Sequence, residues 1–128
     1  MRYALWLAMP IALLGAQPAI PQAPAAFNVQ LSSFKFTPKT IMLDRGRRYV
    51  LRLYNASDDG HNFVSPSFFR AAAIAPSDRR WVRDGEVEVP PGQVREISLT
   101  APGPGRYKVR CTHSFHKLLG MRGTILVR

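Results

Sequence analysis

A second cysteine is missing from this chain of 128 residues. Cys111 therefore cannot close a disulfide within its own chain, and disulfide-stapled scaffolds are excluded. Histidine is almost as scarce: His61, His113 and His116 are the whole complement. The four methionines, Met1, Met9, Met42 and Met121, are scattered, so the histidine-rich or methionine-rich tracts of copper scavengers are absent. Acidic residues are few as well, eight against eighteen Lys plus Arg, for a formal net charge of +10. Such a surplus suits nucleic acid, anionic lipid or an acidic protein as partner. A marked apolar run occurs at the N-terminus, where it is too short for a membrane span.

That run is informative. Met1-Arg2 is a short basic end, Tyr3 to Leu14 are mostly apolar, and Gly15-Ala16 are small, the pattern of a secretory signal peptide. Residues 1–23 are expected to hold the signal and the start of a linker, with cleavage after Ala16 or near Ala23, and 24–128 a single domain. A retained anchor would also leave the domain outside the cytoplasm. A periplasmic or otherwise exported location disfavours nucleic acid. In an oxidising compartment it also makes a lone thiol a liability unless something occupies it. A metal ion is one such occupant, and an intermolecular disulfide is the alternative.

At this length the chain can build one core. Pro18, Pro21 and Pro24 among alanines mark an extended linker. Folded structure is expected from near Phe27, where Phe27, Val29 and Leu31 alternate with polar residues. Phe34 and Phe36 resume after a shift at Ser32-Ser33, which reads as a bulged strand. Thr40 to Leu43 is a short strand, and Tyr49, Leu51 and Leu53 share one face of a central one. A polar loop, Asn55 to Gly60, then delivers His61 at the start of the strand His61 to Val64. A short helix is expected over Ser67 to Ile74. The run Arg79, Arg80, Trp81 and Arg83 reads as a solvated edge with one buried aromatic. Val87 and Val89, then Ile97 and Leu99, restore the strand period. Tyr107, Val109 and Cys111 alternate with Arg106, Lys108 and Arg110, pointing the thiol inward. Gly123 to Val127 is the last strand. The sum is a compact all-β fold with many turns and one short helix.

The segment 111–121 gathers Cys111, His113, His116 and Met121. Thiolate, imidazole and thioether are soft or borderline donors that favour copper over calcium or magnesium. A trigonal site needs one more imidazole. His61 supplies it only if the fold joins two distant strands, which a β-sandwich does.

Cys-x4-His-x4-Met with an upstream Gly60-His61-Asn62 resembles the type I (blue) copper proteins, the cupredoxins, related to plastocyanin and azurin, over about Phe27 to Arg128. The resemblance implies an all-β Greek-key sandwich with a short helix in its middle insertion, and one copper ion held by His61, Cys111 and His116 in a plane, with Met121 as a long axial ligand and the Gly60 carbonyl as a weak contact opposite. It further implies that Asn62 and Thr112 hydrogen-bond across the site. The edge of His116 would be the electron's exit, among Phe115, Leu118 and Leu119. Where many family members have Pro-Gly before the second histidine, this chain has Ser114-Phe115. It also adds His113, a competing ligand with little chain between it and Cys111 to turn around a metal.

The related multicopper oxidases place histidines on both sides of the cysteine. Here those positions are Arg110 and Thr112, so no trinuclear cluster can form within the chain, and an enzyme is not expected. Nor can the dinuclear oxidase-subunit site form, since it needs a second cysteine. The expected function is an exported one-electron carrier. The alternative is a copper-tolerance protein that carries or buffers the metal. Lys108, Arg110, Lys117 and Arg122 flank the ligand loop, so an acidic redox protein is the expected partner, an anionic membrane surface a further one, and the protein itself a monomer.

Overall fold

The computed structural model describes residues 15–113, 115 and 118–128. The apolar stretch read as the signal core therefore lies outside the described residues, as do Ser114, His116 and Lys117. Ten strands form two five-stranded sheets. The first holds, in spatial order, β2 (Lys35–Thr37), β1 (Ala25–Ser32), β4 (Arg48–Asn55), β8 (Val94–Thr100) and β6 (Ala73–Ile74). The second holds β3 (Thr40–Leu43), β10 (Arg122–Val127), β9 (Gly105–Arg110), β5 (His61–Val64) and β7 (Glu86–Val89). The chain changes sheet between β2 and β3, between β3 and β4 and again before β5, so this is the expected Greek-key sandwich.

Its core follows from strand alternation. Val29 and Leu31, Tyr49, Leu51 and Leu53, Ile97 and Leu99 point inward from the first sheet, and Val87, Val89, Val109, Ile125 and Val127 answer from the second. Phe63 sits at the centre. Its ring meets Phe36 edge-on at 5.6 Å and Phe69 at 6.1 Å, an arrangement that adds to the free energy of burial. Among the described residues no helix is long and apolar enough to cross a membrane.

Three expectations are corrected. Ser32-Ser33 does not bulge a continuous strand. The chain reverses there, with Phe34 at φ 63, and β2 returns antiparallel with Leu31 opposite Phe36. Cross-strand partners share a face, so a hairpin keeps both residues inward as a bulge would, and the pattern could not separate the two. The first strand begins at Ala25, because β1 runs parallel to β4 from Ala25 opposite Tyr49. The helix α1 spans Pro66–Ala71, shorter than its propensity suggests, because Ile74 instead pairs with Leu99 as the edge strand β6. The basic segment forms a 3-10 helix, Pro76–Trp81. Trp81 is only half-buried, between the guanidinium groups of Arg80 and Arg95 at 4.9 and 4.5 Å.

The turn between the 3-10 helix and β7 holds α1 in place. Asp84 and Gly85 both have positive φ, 51 and 76, inside a pair of hydrogen bonds between Arg83 and Glu86, each 2.9 Å. This is the two-residue turn whose twist matches a hairpin. The Gly85 carbonyl accepts the Ser65 N–H at 2.9 Å, which brings its Cα against Pro66. A Cβ at Gly85 would overlap the Pro66 backbone. Gly85→Ala should therefore destabilise the fold by about 2–4 kcal/mol, measured by denaturant unfolding, whereas Gly92→Ala, with open space around it, should lose only the smaller cost of its own positive φ.

Candidate metal centre

β5 and β9 are antiparallel neighbours with Val64 opposite Arg110. Following that register past the end of β9 sets Asn62 beside Thr112 and brings His61 to the same end of the sandwich as Cys111. Met121, immediately before β10, closes the end from the other side: the Cys111 N–H donates to its carbonyl at 3.1 Å. His61, Cys111 and Met121 are all fully buried, at 0%, 0% and 1% exposure. His61 Nδ1 stands 3.9 Å from Cys111 Sγ.

Hydrogen bonding decides which imidazole nitrogen carries the proton. Asn55, itself buried, donates its amide to the carbonyls of Asp59 and Val89 at 2.7 and 2.9 Å, which fixes the amide orientation. Its Oδ1 must then accept, and it does so from the Ser57 N–H at 3.0 Å and the Ser57 hydroxyl at 2.8 Å. The Ser57 hydroxyl has two partners that can only accept, Asn55 Oδ1 and the Asp59 carbonyl at 3.1 Å; with its single proton given to one of them, it faces His61 Nε2 at 2.8 Å as an acceptor. Nε2 therefore bears the hydrogen, and the lone pair is on Nδ1, toward the thiol.

Asn62 clamps the two halves of the site. Its Oδ1 accepts the Thr112 N–H at 2.8 Å, and its amide donates to Thr112 Oγ1 at 2.7 Å and Glu86 Oε1 at 2.9 Å. His113 is engaged elsewhere: Nε2 lies 2.9 Å from Glu88 Oε1. The edge of its ring covers Gly60, where an added Cβ would come within 3.2 Å of His113 Cε1. Phe115 and Leu118 are 75% and 83% exposed, and Leu119 is exposed with them. His116, the second imidazole of the predicted set, lies outside the described residues. Among those described, no group of three or more His, Cys, Asp and Glu side chains assembles; the buried trio is one histidine, one cysteine and one methionine.

This donor set fits a soft, thiophilic ion. Bonds of about 2.3 Å to sulfur and about 2.0 Å to nitrogen, opened to a trigonal angle, separate the two donors by about 3.7 Å, close to the distance between His61 and Cys111. Burial pushes the Cys111 thiol above its ordinary pKa of 9.0, and the Glu88 and Glu86 carboxylates add to the rise. Backbone hydrogen bonds from Asn62 and His113 oppose it. The metal-free site is thus a neutral thiol at pH 7, and a metal must displace its proton.

Ser57 and Asn55 were not singled out from sequence. Their types at a loop are ordinary turn chemistry, and nothing in the order of residues says that they turn toward His61.

A family described as Cupredoxin-like domain matches residues 4–127. Among solved structures, auracyanin B is similar at 19% identity and a TM-score of 0.63, covering 85% of this chain and 93% of that one. A dithionite-reduced auracyanin from the photosynthetic bacterium Roseiflexus castenholzii gives 20% and 0.62, covering 84% and 99%. Auracyanin A, a "blue" copper protein from the green thermophilic photosynthetic bacterium Chloroflexus aurantiacus, gives 15% and 0.60, covering 83% and 100%. At such identities the likeness concerns the fold. No relative is found among curated protein sequences.

Three outcomes follow from this geometry. In the folded, metal-free protein Cys111 should react with a thiol reagent far more slowly than in the unfolded chain. Because its folded pKa is raised, the thiol's contribution to stability is complete below pH 9.0 and is lost as pH rises through the higher folded value; metal-free unfolding curves at rising pH check the sign. Ser57→Ala should leave Nε2–H unpaired at a cost of about 1–2 kcal/mol and mix the two tautomers, read from imidazole 15N shifts, with Ser57→Thr restoring the single form.

Proposed function

As the chain belongs to the cupredoxin-like family, we propose that it is a mononuclear type I copper protein that carries single electrons between redox partners. The observation that carries this reading is the buried His61 Nδ1 lone pair facing the Cys111 thiol at 3.9 Å. In this reading His61, Cys111 and Met121 hold the ion together with His116, the imidazole expected from Cys-x4-His-x4-Met spacing. The Gly60 carbonyl would be a further, weak donor. Copper, when bound, supplies a one-electron couple between Cu(II) and Cu(I).

The chain's own contribution is to hold its donors still. His61 is anchored through Ser57 and Asn55 to two backbone carbonyls, and Thr112, next to Cys111, is held by Asn62. Donors that cannot move give up little reorganisation energy when the charge of the site changes. Burial excludes water and, with the backbone hydrogen bonds toward the sulfur, sets the basicity of the thiolate. Phe115, Leu118 and Leu119 are exposed apolar side chains on the ligand loop, where a partner can meet them. The protein is further proposed to act outside the cytoplasm as a monomer, after loss of a signal within residues 1–23.

Copper titration of the metal-free protein, followed by absorption and EPR, tests the reading. One equivalent of Cu(II) should give an intense visible band that Cys111→Ser abolishes. His116→Gly should lose the band and regain it with added imidazole, whereas His113→Ala should keep it. A reversible voltammetric wave is expected; release of the metal on reduction would point instead to a copper-carrying role. Absence of any thiolate band on copper addition would sink the assignment.

A further inference from the structure

The outer face of the second sheet holds four cations and no acid in one groove. Lys39 precedes β3, Lys108 and Arg110 lie on β9, and Arg122 opens β10; together they line a concavity of about 450 Å³ whose floor includes Cys111 and Met121. Arg110 and Arg122 stand directly opposite each other in the antiparallel ladder, a like-charge pairing that costs stability. Lys108 lies across from Thr124, whose N–H is bonded to the Lys39 carbonyl at 2.9 Å, so the backbone holds all four side chains to one neighbourhood.

Among the described residues no acidic side chain pairs with these cations to offset the repulsion. Among the described residues the ion pairs are those of Asp44 with Arg47 and Arg128, Glu96 with Arg52, and Glu88 with His113. None involves the four groove cations, all of which are exposed. A local rule broken without compensation inside the chain is where function is to be sought.

The position of the groove narrows the choice of ligand. The chain leaves the groove floor at Cys111 and returns to it at Met121, and the exposed apolar residues Phe115, Leu118 and Leu119 lie on the loop between. We propose that this groove is the docking surface for an acidic protein, whose clustered carboxylates enter it while an apolar patch meets the ligand loop. That the partner is a redox protein rests on the electron-carrier reading above; the docking chemistry does not. A flat lipid surface would meet only the exposed ends of the cations and leave the concavity between them unfilled. Single-stranded nucleic acid would call for aromatic stacking platforms along the cations, and no aromatic side chain lines the groove. Exposed cations of one sign speed encounter with an acidic partner and, once in contact, fix its register.

The probe is poly-L-glutamate, titrated against both the metal-free and the copper-treated protein at two ionic strengths. Arg110→Gln/Arg122→Gln and, separately, Lys39→Gln/Lys108→Gln are compared with Arg79→Gln/Arg83→Gln, which removes the same charge from the 3-10 segment and the turn after it. Either groove pair should weaken binding by about tenfold or more, and the control by about twofold at most. Backbone amide shifts on binding should centre on 108–110 and 122–124. Equal weakening in all three variants would show that net charge alone acts and would overturn the proposal. So would groove variants that lose binding to phosphatidylserine-containing vesicles or to DNA while keeping poly-L-glutamate. Because the metal-free protein is measured as well, a failure to form the copper site shows in the absorption spectrum and not in these titrations.

Discussion

One point of strand pairing sets the geometry of the whole site: Val64 of β5 opposite Arg110 of β9. Backbone pairing between these strands ends there, and the ligands stand just beyond it. Past that point the side chain of Asn62 takes over from the ladder, accepting the Thr112 N–H as a strand carbonyl would. The site is in effect a continuation of the sheet in which a side chain replaces main chain. That substitution frees the loop after Cys111 to leave the sheet and return at Met121, while Cys111 and His61 stay in the register the sheet imposed. A slip of one residue at Val64 would turn every inward side chain outward.

The same end of the sandwich collects most of the buried polar groups. Asn55, His61, Asn62 and Ser65 are buried, and each has its hydrogen bonds: Ser65, for instance, donates its hydroxyl to the Lys108 carbonyl at 2.7 Å and its N–H to Gly85. A buried polar group left unpaired costs about 1–3 kcal/mol, so satisfied networks of this kind admit few alternative arrangements. The Phe63 cluster beneath them is apolar and tightly packed. Rigidity at the site thus has two sources: rings that cannot move without opening a cavity, and polar groups that cannot move without losing partners.

Charge is distributed unevenly over the outer face of the second sheet. The carboxylates of β7 are used locally, Glu86 by Asn62 and Glu88 by His113, whereas the cations of β9 and β10 have no ion pair among the described residues. The first of these bears on the Cys111 thiol. Glu86 and Glu88 push it toward its neutral form, and the nearby cations line a groove whose floor Cys111 shares.

Residue type and period were enough to read an all-β fold and the direction in which Cys111 points, because the pleat has a strict period of two and burial follows it; the two-sheet sandwich came from the family resemblance. They also placed His61 at the head of a strand and drew attention to Cys111, Met121 and Asn62, since soft donors are rare in this chain and lie at telling intervals. Period says nothing of neighbours. The hairpin at Phe34 and the bulge expected there bury the same residues, so only the observed pairing of Leu31 with Phe36 separates them. Ile74 belongs by propensity to a helix, and an open sheet edge at Leu99 claimed it. Ser57 and Asn55 are unremarkable loop residues until the fold carries the Val89 carbonyl from β7 to within reach of Asn55. What sequence determined by itself was the donor chemistry and the inward face on which it stands. Which nitrogen of His61 carries the proton was decided by tertiary structure, because that depends on hydrogen-bond partners far apart along the chain.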